Sequence, residues 1–509
     1  MNALSRTELP APVKAHLAAS AISGQGQHGA LSDLARQYDV SRPTIYAVGS
    51  EAKEVLEGHF NNASSGSVSK WKPVQVCVDL SQLVRAVAAL RAVSPNSIRC
   101  IEDLIPILYP NVRLGYGTVQ AIAAEVEARA AAFNAKASAL SGITDAALDE
   151  MFSQGDPVLA GVDLDSGYLF SLALREGRSG DDWKQVLEQA KEQGLKLEVV
   201  VKDAAKGIAA GVSAVFRDAE QRDDCFHALY EMNKVRGLLE RRAYGAIQRE
   251  SDAKEALSKA RRSVDGKRAK LAQRLRWASV EANKAIALHD EFERATRAAA
   301  EAMELVSLET GLVRQPEQMQ QEIEAAAAQM VALDNARCKK VGRYLRNRAP
   351  GLALHLHPVN EAFALTAERY GEAAVKEACL VHRLATDLQK DRRPWDTSSD
   401  KRRLREAIDA LERSAPEQAE RVLGLVDVIV QKRHRASSAV EGFNAALRPF
   451  LYVHKGTTQG FLELFRAHHN LKTRRWGRHK GTSAHEVLTG ERINDWLTVL
   501  GYPPSPTLN

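Results

Sequence analysis

Apolar positions recur at helical spacing along most of this chain, and one block in the middle breaks the rule. Near the start, Leu31, Leu34 and Ala35 lie on one helical stripe and Val40 marks a turn. Ser41 is placed to cap a second helix carrying Ile45 and Val48, with Pro43 tolerated in its first turn. That cadence predicts a helix-turn-helix within residues 1–60. Its second helix, about 42–53, would offer Arg42, Thr44 and Tyr46 to a major groove. A small helical hairpin with no ligand has the same pattern. The Ser/Asn/Gly-rich stretch 61–75 reads as a linker, and residues 76–140 read as a second helical unit, helix-turn-helix-like, broken at Ser94-Pro95 and Pro110.

At about residue 143 the period changes. The runs ALDEMF, PVLAGVDL and YLFSLALRE are short, apolar and separated by the turns Ser153–Asp156 and Asp165–Gly167, which predicts three consecutive antiparallel strands. A helix over 181–193 follows, then the β-branched strand LKLEVVVKD ending at Asp203, then a helix over 204–217. Three hairpin strands, a helix and a buried strand make the order of an RNase H-like core, first part 141–232. Residues 233–430 are helical almost throughout and read as an all-α insertion, after which 431–480 would complete the core and 481–509 form a tail. The fold class expected is α/β, an RNase H-like mixed sheet interrupted by helices and preceded by helix-turn-helix units.

Composition sharpens this picture in a few places. A chain of 509 residues exceeds one ordinary core, so several units are expected. Five cysteines, scattered and without a C-x-x-C pair, argue against a disulfide scaffold or zinc ribbon and for a reducing compartment. No run of ~18 apolar residues predicts a membrane span, the first residues lack the apolar stretch of a signal peptide, and no Walker-type ATP loop occurs. A cytoplasmic, nucleoid-associated protein in a prokaryotic setting is the expectation. The net charge of +6 hides opposed blocks. Residues 236–284 hold 14 Lys/Arg against 6 Asp/Glu, residues 285–328 hold 3 against 9, and residues 432–480 hold 11 against 2. The two basic blocks are footprints for a phosphate backbone, and the acidic block is expected to face away from it. In the last basic block, Lys455, Arg474, Arg475, Arg478 and Lys480 are the candidate DNA contacts.

Metal-assisted phosphoryl transfer needs carboxylates from separate elements converging on one point. Asp149 on the first strand, Asp203 after the fourth and Glu441 in SSAVEGFNAALR are the candidates for catalysis and for holding metal. Each has an ordinary rival: an exposed strand residue, a helix cap, and a capping box begun by Ser438. Glu150, Asp163 and Asp165 compete with Asp149. Glu441, Asn444 and Arg448 fall on one helix face, a carboxylate, an amide and a guanidinium together. Lys206 is placed to approach a phosphate or simply to be solvated. Trp277 and Trp395 read either as core residues or as stacking platforms for a base. His355, His357, His468 and His469 lack companions at zinc spacing.

In ALDEMF–PVLAGVDLDSGYLF, VVVKDAAKGIAAGV, DDCFH and SSAVEGFNAALRPFLYVHKG the chain resembles a DDE transposase, over about 143–232 and 431–490, with a large helical insertion between. In hAT and Mutator-like relatives a C/D-x-x-H motif follows the second Asp, and Asp224-Cys-Phe-His227 stands in that place. The resemblance implies that Asp149, Asp203 and Glu441 bind two Mg²⁺ or Mn²⁺ ions and that Asp224 and His227 are accessory, with Asn444 and Arg448. It also implies double-stranded DNA partners (element terminal repeats and target), a homodimer or higher oligomer on DNA, and no need of ATP or membrane. The 237 residues between Asp203 and Glu441 keep the third ligand from being fixed by spacing. A non-catalytic, transposase-derived DNA-binding regulator is the second reading.

Overall fold

The computed structural model describes residues 9–23, 30–67, 79–136, 138–260, 267–390, 398–436, 438–453 and 456–504. The chain divides into two compact units, Met1–Val78 and Asp79–Asn509.

The first unit holds α1 (Ala11–Ser23), α2 (Ala30–Gln37) and α3 (Arg42–Ser67). Leu17, Ala21, Val40 and Ile45 are buried together, and Leu31, Leu34 and Ala35 pack on them, so the helical stripe is the core face. Asp39 turns the chain in the left-handed region at φ 48°, and Ser41 Oγ accepts the Thr44 amide at 3.2 Å, starting α3. A Cβ on Gly49 would lie 2.8 Å from that of Ala21, so α1 and α3 meet at a glycine. Helix α3 continues to Ser67, into the stretch whose composition predicts a linker.

The second unit opens with α4 (Leu80–Val93), α5 (Ile98–Leu108) and α6 (Tyr116–Ala135). The sheet follows as β1 (Asp145–Ser153), β2 (Asp156–Asp163), β3 (Leu169–Leu174), α7 (Gly180–Glu192), β4 (Val199–Lys202), α8 (Lys206–Val215) and β5 (Glu220–Asp223). Eight helices come next: α9 (Cys225–Lys259), α10 (Lys267–Ala302), α11 (Pro316–Ala332), α12 (Ala336–Ala353), α13 (Leu356–Tyr370), α14 (Glu372–Lys390), α15 (Ser398–Ser414) and α16 (Ala419–Gln431). The chain then returns through α17 (Ser438–Val453) and α18 (Gln459–Leu471) and closes with α19 (Ala484–Thr489) and α20 (Trp496–Val499).

The strand order is β3-β2-β1-β4-β5, with β1 antiparallel to β2, β2 antiparallel to β3, and β1, β4 and β5 mutually parallel. This is an RNase H-like sheet, and its continuation is interrupted by the all-helical insertion. Gln154 (φ 54°) and Gly155 (φ 108°) make the tight β1–β2 turn, where both central residues need positive φ. Strand β5, Glu-Gln-Arg-Asp, is absent from the sequence expectation because an edge strand of four polar residues has no apolar alternation to betray it.

Strand alternation assigns the faces of the sheet. Leu148, Leu159, Phe170 and Val200 meet Trp183 and Val186 of α7 and Ile208 and Val212 of α8. Ala147, Met151, Val158 and Val162 meet Val440, Phe443 and Leu447 of α17 and Phe461 and Phe465 of α18. Helices α4–α6, expected to form a separate DNA-binding unit, share a core with Leu464, Ala467 and Leu471 of α18 and with Leu497 and Leu500 of the predicted tail. The insertion has its own core, running from Cys225 to Val426. The basic stretch 236–284 covers parts of both α9 and α10, so it belongs to the outer end of a helical hairpin rather than to one limb. The acidic stretch is partly turned inward. Arg314 pairs with Glu322 at 2.7 Å, Arg383 with Glu301 at 2.8 Å and Arg435 with Glu304 at 3.0 Å, which corrects the expectation of an acidic limb that simply faces away.

Candidate active site

Alternation along β1 separates its two candidate carboxylates onto opposite faces of the sheet. Asp149 projects on the face of Ala147 and Met151, toward α17. Glu150 projects on the other face, where it accepts Trp183 Nε1 at 3.0 Å and pairs with Arg178 at 2.7 Å. Asp163 is buried and accepts the Ser166 amide at 2.8 Å in the β2–β3 turn, and Asp165 pairs with His434 at 3.4 Å. Those three competitors have structural partners.

Asp149 Oδ2 accepts Asn444 Nδ2 at 2.6 Å, so the strand carboxylate and the α17 amide are joined. Burial pushes the Asp149 carboxyl up to about 6, and the charges of Asp203 and Glu441 push in the same direction, while the bonds from Asn444 and the Glu150 amide oppose them. The fields of Asp203 and Glu441 thus meet at Asp149. Asp203, just beyond β4, accepts the Ala205 amide at 2.7 Å, a cap-like bond that fixes the loop leading to α8. Glu441 is exposed on the first turn of α17, and Arg448, also exposed, lies two turns further on. The Ser438 side chain, on which the capping-box alternative for Glu441 depends, lies outside the described residues.

A divalent cation suits this set. Hard cations prefer oxygen ligands, and a carboxyl raised by its own burial and by two neighbouring carboxylates is one whose ionised form a cation would stabilise. Among the described residues, the group that brings three ligand atoms within 4.8 Å is His289, Asp290 and Glu293 on α10. It is a surface cluster in which Glu293 is already paired with Arg297 at 2.8 Å. The Asp149, Asp203 and Glu441 oxygens do not all lie within that distance of one another.

Asp224 caps α9, its Oδ1 accepting the amides of Phe226 at 2.7 Å and His227 at 3.3 Å. The His227 ring lies 6.4 Å from that of Tyr344 on α12. His468 is buried and His469 half-buried, and desolvation pushes both imidazoles down to about 3. His469 Nε2 approaches the Gly167 carbonyl at 3.2 Å and His468 packs edge-on to Trp496 at 4.9 Å, so both are structural. Lys206 is exposed. Trp277 is 66% exposed on α10, which removes the core reading, and Trp395 and Lys455 lie outside the described residues.

Of the remaining DNA candidates, Arg42 bonds Ser32 Oγ, Thr44 pairs with Ser41 Oγ at 2.8 Å, and Tyr46 is exposed, all in the first unit. Arg474 is half-buried and donates to the Ser166 carbonyl, a structural bond. Arg475, Arg478 and Lys480 are exposed or half-exposed in the loop after α18. Sequence reading overlooked Trp476, 79% exposed between two of those arginines. A tryptophan in an Arg-rich, Gly-containing loop was the available signal.

The family model described as "Transposase", of the ISL3-type DDE transposases, matches residues 158–354, from β2 to the end of α12. Over that stretch the chain is similar to DDE transposases. The match includes most of the sheet and enters the insertion. No curated protein matches the chain. Among solved structures, the Drosophila P element transposase strand transfer complex aligns over 81% of this chain and 97% of its own, at 11% identity and a TM-score of 0.27, too slight a likeness to carry a conclusion. Among the described residues no helix is long and apolar enough to cross a membrane.

Proposed function

We propose that the protein is a DNA transposase that cuts a phosphodiester at its element's ends and joins the freed 3′-OH to target DNA. The observation that carries the reading is the junction of Asp149 with Asn444, in the combined field of Asp203 and Glu441, on an RNase H-like sheet. Asp149, Asp203 and Glu441 would hold two Mg²⁺ or Mn²⁺ ions, which when bound supply a more acidic water and charge stabilisation of the phosphoryl oxygens. Asn444 orients Asp149 by donating to Oδ2, while Oδ1 accepts the Glu150 amide at 2.8 Å. Among the described residues Asn444 Oδ1 is buried without a partner, an acceptor available to a bound water. Arg448 is the cation proposed to meet the phosphate charge. Strand-resolved products from a DNA carrying the element ends, made by the wild type and by Asp203→Asn, test the reading.

Recognition of the ends falls to the first unit, whose α3 presents Arg42, Thr44 and Tyr46. Backbone grip falls to the outer α9–α10 hairpin and to the loop after α18. There, Trp476 offers a face for a base between Arg475 and Arg478, a pairing of stacking and charge suited to unpaired or distorted DNA. Replacing Arg475, Arg478 and Lys480 together by Ala is expected to weaken binding to any DNA sequence alike. It should also flatten the dependence of log K on log salt by up to about 0.9 per lost phosphate contact. Fluorescence anisotropy over a salt series reads both effects, and an unchanged slope would remove this loop from the interface. A homodimer or higher oligomer on DNA fits an element with two ends to pair. A regulator without catalysis would bind the same DNA and fail the cleavage assay.

A further inference from the structure

The insertion does more than follow the core. Its helix α12 returns across the end of the sheet where Asp203 emerges, and one face of that helix, Tyr344, Arg348 and Gly351 at i, i+4 and i+7, meets the core. Arg348 Nη1 donates to Asp223 Oδ1 at 2.7 Å, and Arg348 Nη2 donates to the Ala204 carbonyl at 3.3 Å. One planar guanidinium therefore bridges the last residue of β5 and the residue following Asp203. Lys202, buried at 5% exposure, reaches the same Asp223 oxygen at 3.5 Å from the end of β4. A Cβ on Gly351 would collide with Asp223 Oδ2, so this carboxylate sits directly against the helix backbone and only glycine leaves room for it. Tyr344 is half-buried one turn earlier, in the field of Asp223 and Asp203.

We propose that α12 is the strut that positions Asp203, with Arg348 as a positioning residue acting through the Ala204 carbonyl and with Asp223 as its anchor. The acidic pair before the α9 helix thus divides its work: Asp224 caps α9 and Asp223 ties the insertion to the catalytic loop. A small displacement of a reacting group is costly, so loss of the strut is expected to lower turnover while leaving DNA affinity in place. The inference rests on the carboxylate triad being the reaction centre.

The test uses the full chain carrying Arg348→Ala, Arg348→Lys or Gly351→Ala, beside Asp203→Asn. For Arg348→Ala and Gly351→Ala the expected result is a kcat for strand cleavage lower by about tenfold to a hundredfold with KM for DNA unchanged. Mn²⁺ binding to the DNA-free protein, measured by calorimetry, should weaken about tenfold, the scale for a group that orients a ligand. Amide exchange of residues 204–206 should rise. Arg348→Lys keeps the charge and loses the second in-plane donor, so it should show a smaller loss of the same kind and stands in if the alanine variant does not fold. Wild-type kcat and Mn²⁺ affinity in a folded Arg348 variant, with only the melting temperature lowered, would overturn the proposal and leave Arg348 a structural tether. Cleavage by Asp203→Asn at the wild-type rate would instead remove the reaction-centre reading itself.

Discussion

Asp149→Asn is expected to do two things at once: abolish strand cleavage and raise the melting temperature of the metal-free protein. Cleavage should fall by on the order of 10²–10³ or more, the scale for removing a group that acts on developing charge. The stability gain follows from the raised carboxyl. In the folded protein Asp149 titrates near 6, against 3.8 when exposed. Between those values the folded state holds the extra proton, so stability falls as pH rises through that window, and above about 6 the whole penalty is present. That difference corresponds to about 2–3 kcal/mol. The amide carries no charge to desolvate, and its single oxygen keeps one of the two bonds that the carboxylate accepts, from Asn444 or from the Glu150 amide. Thermal denaturation without metal at pH 7.5 and again near pH 4 reads the effect, which should be large at the first and small at the second. The same logic makes added Mn²⁺ stabilise the wild type more at pH 7.5 than at pH 5. An Asp149→Asn variant less stable than wild type at pH 7.5 would show that the carboxylate is not held against a charge penalty.

Gly211→Ala is expected to be strongly destabilising, while the formally identical Gly424→Ala should stabilise. Helices α7 and α8 touch at glycines. A Cβ at Gly211 would collide with Trp183 Cβ and lie 3.1 Å from the Lys184 amide, and one at Gly207 would collide with the Arg178 carbonyl. These atoms belong to or border the backbone of α7 and cannot turn aside, so the helices must separate at a cost of about 1–3 kcal/mol. Gly424, in α16, has no atom within 4 Å of an added methyl, so alanine there gains about 0.5–1 kcal/mol from helix propensity alone. Denaturant midpoints of the two variants should move in opposite directions. Because α8 begins just after Asp203, Gly211→Ala should also lower cleavage more than its stability loss explains.

Much of the core was legible because its signals are local. Alternation in ALDEMF and the β-branched run before Asp203 predicted β1 and β4, and the turn residues Gln154-Gly155 predicted the hairpin between β1 and β2. The choice among Asp149, Glu150, Asp163 and Asp165 was not legible, since it depends on which sheet face α17 covers, and α17 arrives only after the insertion. Strand β5 escaped because its register is supplied by β4 rather than by apolar residues of its own. Helices α4–α6 carry a helix-turn-helix rhythm that their packing on α18 reproduces equally well, so periodicity could not tell a free unit from a docked one. The role of Asp223 was hidden for a similar reason: its partner Arg348 stands on another element, and the neighbouring Asp224-x-x-His227 motif drew the attention. Trp476 was legible and overlooked.

The central claim is that Asp149, Asp203 and Glu441 form one phosphoryl-transfer centre. Strand-resolved electrophoresis of end-labelled DNA carrying the element ends, incubated with Mn²⁺ and either wild type or Asp203→Asn, tests it most directly. The wild type is expected to yield a discrete nick with a free 3′-OH. Asp203→Asn is expected to yield no nick, with undiminished binding of the same DNA. Equal cleavage by the two proteins would rule out a shared centre.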